Sequence, residues 1–194
     1  MAREFEILKS HKLKTGSYFR RPTQVLPQLV NLGDPALLVI TDLSKVSLVV
    51  ARPNASMESA NAKMIRYGVR MLLVLDSNDQ VAGLLTANDL LGEKPMRFLQ
   101  NIGGTYADIM VRDLMTPQRE LEVMKIEDVN NAEVGHIVAT LKKSGRQHGL
   151  VVSEGADGKQ TVSGIFSITQ IARQLGLDVT QTLAEVEAVV SSGN

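Results

Sequence analysis

The second half of this chain repeats the order of its first half, and that repeat limits the possible folds more than any single motif does. Residues 36–41, 47–51, 71–75 and 81–85 are short aliphatic strings bounded by turn residues such as Asp76-Ser77-Asn78-Asp79, which is the pattern of strands. Between the second and third strings, Met57, Ala60, Met64 and Ile65 fall at helical spacing, with Ser56 placed to cap the start and Gly68 to close the end. Another helix is expected from Ala87. The second half gives a strand at 121–126, a helix at 131–143 with Val134, Ile137, Val138 and Leu141 on one face, and strands at 148–152 and 161–166.

The markers of the two halves align with a growing offset. Asp42-Leu43 matches Asp113-Leu114 (113 − 42 = 71), Gly68 matches Gly145 (145 − 68 = 77) and Gly83 matches Gly164 (164 − 83 = 81). The growth places insertions before the second helix and in the hairpin Ser153-Glu154-Gly155-Ala156-Asp157-Gly158, both loop sites where extra length costs little. Each copy alone is too small to fold comfortably, so the two are expected to pack across their sheets.

Composition narrows the function. There is no cysteine among the 194 residues, which excludes disulfides, thiolate metal sites and cysteine nucleophiles. Lys+Arg and Asp+Glu are both 21, so neither nucleic acid nor an anionic membrane is an expected partner. The start Met1-Ala2-Arg3-Glu4-Phe5-Glu6 lacks the apolar stretch of a signal peptide, and no run approaches the ~18 apolar residues of a spanning helix. A soluble, cytoplasmic protein is expected.

The repeated unit resembles the cystathionine-β-synthase (CBS) motif. In the second copy the matching residues are Val111-Arg112-Asp113-Leu114-Met115-Thr116-Pro117 at its entrance. In the first they are Gly68-Val69-Arg70, the strand ending Leu75-Asp76, and the exit Gly83-Leu84-Leu85-Thr86-Ala87-Asn88-Asp89-Leu90-Leu91. The first copy's entrance, Thr41-Asp42-Leu43-Ser44, lacks the usual Met and Pro. The resemblance implies an α/β (α+β) fold of two βαββα motifs in a pseudo-twofold pair, with extra terminal helices. The implied boundaries are an N-terminal helical extension (1–34), the first motif with its following helix (35–100), the linker and second motif (101–176), and a C-terminal helix and tail (177–194).

It also implies an adenosine-containing regulatory ligand, such as AMP, ADP, ATP or S-adenosylmethionine, with no required cofactor and no metal. In the implied site Asp89 accepts both ribose hydroxyls, as an ionised carboxylate can. Thr86 opens the next helix, whose amides face phosphate, and Arg70 supplies a phosphate-binding fork. The linker before the second copy completes the site, with Gly104, Thr105 and Ile109 near the base and Leu84 sandwiching it. A second, weaker site is implied at Ser167, Gln170, Arg146 and His148, where Gln170 replaces the carboxylate. Thr86 and Asp89 also have the spacing of a helix-capping pair, as do Ser167 and Gln170, so capping and ribose binding are both open readings of Asp89.

Catalytic machinery is not visible. His11, His136 and His148 have no metal-ligand spacing, and no phosphate-binding loop or nucleophile elbow is present. The expected function is therefore non-enzymatic: a regulatory, homodimeric module signalling to an effector protein, or a structural, interacting dimer that keeps the fold without a ligand. The segments 4–13 and 22–32 are weakly amphipathic and are expected to supply one or two helices; 180–190 reads as a further helix.

Overall fold

The computed structural model describes residues 5–19 and 26–177. In chain order the strands and helices are β1 (His11–Lys12), β2 (Tyr18–Phe19), β3 (Thr41–Asp42), β4 (Val50–Ala51), α1 (Met57–Tyr67), β5 (Met71–Leu75), β6 (Val81–Thr86), α2 (Ala87–Leu91), α3 (Lys94–Ile102), α4 (Val111–Leu114) and β7 (Thr116–Pro117). They continue with β8 (Glu122–Lys125), α5 (Ile126–Asn130), α6 (Val134–Ser144), β9 (His148–Glu154), β10 (Gln160–Ser167) and α7 (Ile168–Gln174).

The main helices form where the sequence signals stand. The Ser56 side chain accepts from the Ser59 amide at the start of α1, and Gly68 closes it at φ 63°. Gly145 closes α6 at the same φ of 63°, a left-handed turn that glycine adopts without the Cβ penalty. All five residues of β5 are buried, because both faces of the strand are covered. Met71, Leu73 and Leu75 join Leu150, Val152, Val162 and Ile165 in a core between the two sheets, while Leu72 and Val74 pack with Ala60 and Met64 of α1.

Each copy lends its entrance strand to the other. One sheet runs β4-β5-β6-β7, so β7 of the second copy pairs with β6 of the first; in the other sheet β3 of the first copy pairs with β10. Leu84 opposes Thr116 and Ile165 opposes Thr41, so the equivalent residues are Thr41 and Thr116 (116 − 41 = 75). The expected match of Asp42-Leu43 to Asp113-Leu114 is therefore out of register. Residues 36–38, expected as strand, form a 3-10 turn equivalent to α4. Paired bonds confirm it: Met57 N donates to Ile109 O and Val134 N to Asp34 O, both at 2.9 Å.

The N-terminal segment departs from the helical expectation, since its described residues form no helix. His11 and Lys12 pair with Val123 and Glu122 at the edge of β8, and Leu13 is 3% exposed in the inter-sheet core. An open sheet edge and a buried leucine outweigh a weak helical pattern here. The ring of Phe5 packs over Gly135 and stands edge-on to His136, centroids 5.4 Å apart. At the matching edge of the first copy Lys63 Nζ donates to Val50 O at 2.9 Å, so a lysine blunts the edge that β1 covers in the other copy. The expected helix at 180–190 lies outside the described residues, as do 22–25.

Candidate functional site

The strand exchange creates two related clefts between the copies. The larger, about 360 Å³, is walled by Val46, Leu48, Val49, Met71 and Ile165, with Arg70, Arg173, Ser167 and Gln170 around it. The smaller, about 320 Å³, is lined by Leu84, Thr86, Asn88, Asp89, Thr116, Arg146 and Gln147. Both reach the lower part of the ~300–1,000 Å³ range of small-molecule sites. His148 lines both.

This arrangement regroups the residues expected from sequence. Thr86, Leu84 and Asp89 come together, but Arg146 and His148 join them, while Arg70 faces the Gln170 cleft. The cause is the pseudo-twofold packing: the turn after each central helix lies across from the exit strand of the other copy. Arg70 keeps a backbone role in its own copy, its carbonyl accepting from the Ala87 amide at 2.9 Å.

The linker takes a different place from the one expected. Ile109 is fully buried in the core under α1, and Thr105 is exposed, with its amide and hydroxyl donating to Asp108 at 2.8 Å. Gly104 lies beside that same carboxylate. None of the three lines either cleft. In the Asp89 cleft that they were expected to complete, Thr116, Arg146, Gln147 and His148 stand instead; residues 46–49 wall only the larger cleft.

Asp89 is 9% exposed and fully engaged on one oxygen. Its Oδ2 accepts from the Thr86 amide and the Thr86 hydroxyl, each at 2.7 Å, which forms a capping box at the start of α2. Its Oδ1 meets Lys94 Nζ at 2.6 Å. The same ammonium donates to Leu114 O at 2.9 Å. α2 has only five residues, so its dipole offers little to a phosphate.

Gln170 is not a capping residue, contrary to expectation: Ser167 makes no side-chain cap bond. Gln170 instead accepts from Thr41 Oγ1 at 3.3 Å and donates to Gln174 Oε1 at 3.3 Å. Gln174 in turn donates to Pro27 O and Leu38 O. The amide is drawn inward by this buried network, away from the helix start. His148 sits between Arg70 and Asp89; burial and the Arg70 charge push its imidazole down to about 4, with Asp89 opposing. Its Nδ1 is buried without a partner.

The sequence pattern assigns no site role to Arg173, Lys94 or the 46–49 segment. Arg173 stands three residues after Gln170 on α7, a spacing that shares a helix face, and so was accessible to a pattern search. Lys94 carries no local signal, and 47–49 reads only as the start of a strand at 47–51 that in the structure is confined to Val50–Ala51. Among the described residues, no group of three His, Asp or Glu is placed to hold a metal ion, and no helix is long and apolar enough to cross a membrane.

Residues 40–95 match the model of the CBS domain. No curated protein matches the chain. Among solved structures, CBSX2, a CBS-pair protein of Arabidopsis thaliana, in complex with AMP is 26% identical over 73% of this chain and 95% of that one, with a TM-score of 0.51. An uncharacterized conserved protein of Pyrococcus horikoshii is 22% identical over 73% and 92%, at a TM-score of 0.51. A putative signal-transduction protein with CBS domains from Burkholderia ambifaria shares the fold at 18% identity over 66% and 82%, with a TM-score of 0.50. Residues 40–95 thus carry the CBS-domain match, and in its exchanged entrance strands and overall fold the chain is similar to the CBS-domain pair proteins.

Proposed function

We propose that this protein is a regulatory sensor that binds an adenosine-containing nucleotide between its two CBS copies and passes occupancy to a partner protein. The observation that carries the reading is the larger cleft: apolar walls at Val46, Leu48, Val49 and Ile165 suit a base, and Arg70 and Arg173 suit a phosphate. Arginine presents a planar fork of donors that matches phosphate oxygens. The AMP complex of the 26% identical CBS-pair protein supports the ligand class. The Asp89 cleft is the second ligand position, with Arg146 and Gln147 opposite the carboxylate.

Occupancy changes the protein only to the extent that the ligand binds one conformation better than another. The clefts lie on the seam where each copy holds the other's entrance strand, so a ligand there acts on the relation between copies. A homodimer is part of the reading: Ile65, Leu91 and Ile102 on α1, α2 and α3 are each more than 70% exposed, an apolar helical face for a second subunit. No catalytic step is part of it.

A calorimetric titration with AMP, ADP, ATP and S-adenosylmethionine tests the function. One of them binds the wild type, and Arg70→Ala weakens binding by about tenfold or more, the value of a lost charge-assisted bond. If none binds at millimolar concentration, the sensor reading falls and the alternative of a structural, interacting dimer stands.

A further inference from the structure

We propose that Lys94 is a displaceable latch on Asp89, so that a ribose diol enters the smaller cleft only by releasing this lysine, and the release is how occupancy reaches α3. The proposal rests on the sensor reading above and adds the residue that gates the second position.

The argument is a count of acceptor sites. A carboxylate has about four lone-pair directions. Two on Oδ2 are taken by Thr86, and one on Oδ1 by Lys94. One direction remains, and a vicinal diol needs two. Disturbing the Thr86 bonds would undo the start of α2, whereas the lysine side chain is 46% exposed and can turn to water. The lysine is therefore the partner that yields.

Lys94 is the first residue of α3, and its other bond is to Leu114 O at the end of α4. One ammonium thus ties three places together: the exit of the first copy, the start of α3 and the entrance of the second copy. Displacing it from Asp89 frees the start of α3. The larger cleft carries no comparable ion pair at Gln170, which is uncharged, so the larger cleft fills first and the latched one second.

The test follows the Asp89 amide by NMR during AMP titration of the wild type, Lys94→Met and Lys94→Arg, with 2′-deoxy-AMP as a ligand that lacks the diol. The latch predicts AMP binding at Asp89 about two- to fivefold tighter in Lys94→Met, the value of a partly exposed ion pair. Lys94→Arg stays near wild type, and 2′-deoxy-AMP gains nothing. Hydrogen exchange in α3 rises in Lys94→Met and in AMP-bound wild type, with no further rise when AMP is added to the variant. Unchanged or weaker AMP binding at Asp89 in Lys94→Met overturns the latch. AMP binding beside Arg70 with no effect at Asp89 overturns it also and leaves the sensor reading intact, whereas no binding anywhere removes both.

Discussion

Gly83 lies so close to Thr116 that a Cβ at position 83 would fall 2.5 Å from the Thr116 carbonyl oxygen. This contact is where β7 of the second copy joins the sheet of the first. Gly164 is its equivalent in the other sheet, but there the added carbon would meet the tip of Ile40, Cδ1, at 2.4 Å. Backbone cannot yield as a side-chain tip can. Gly164→Ala should cost about 1–3 kcal/mol, the range of overpacking, and Gly83→Ala should cost more, with chemical denaturation as the measurement. Equal losses would mean that the entrance strands are not held as described.

Stability should fall in acid through His148. Its folded-state value of about 4 lies below the ordinary 6.5, so the unfolded chain binds the proton more readily. The contribution is full above pH 6.5, diminishes as pH falls from 6.5 towards 4, and amounts to ~3 kcal/mol in order of magnitude. Urea unfolding of wild type and His148→Gln across this window should show a shallower pH slope in the variant. The same slope in both would remove the histidine from the account.

The N-terminal arm should come loose when its seat is filled. A Cβ at Gly135 would lie 2.4 Å from the Phe5 ring. Gly135→Ala should therefore expose the arm, and limited proteolysis should cut before Leu13 faster than in wild type. Since α6 itself gains a better helix former, its own helicity by circular dichroism should not drop.

Helix capping separates the start of α1 from the start of α7. Ser56→Ala removes the bond from the Ser59 amide and should cost about 1 kcal/mol. Ser167→Ala removes no cap bond, and thermal unfolding should barely move.

Much of this architecture is legible in the sequence because it rests on local signals. β5 reads as a strand from Met71 to Leu75, and the glycines at 68 and 145 end their helices as left-handed caps. The register of the repeat was misread at its entrances, because β3 and β7 are two residues each and two residues have no periodicity. Aspartates at 42 and 113 coincide in type but not in place: one is the last residue of β3 and the other lies inside α4. The site was half legible. Thr86, Leu84 and Asp89 are adjacent in one motif, but the partner of each cleft comes from the other copy, as Arg70 and Arg146 show. Lys94 reaches Asp89 across a turn that no spacing rule describes.

The central claim is a nucleotide seated between the copies, and a crystal structure of the protein saturated with AMP tests it most directly. The account predicts the phosphate within hydrogen-bond distance of Arg70 or Arg173 and the base against Val46, Leu48 and Ile165. AMP found elsewhere on the surface, or clefts empty at saturating AMP, would contradict it.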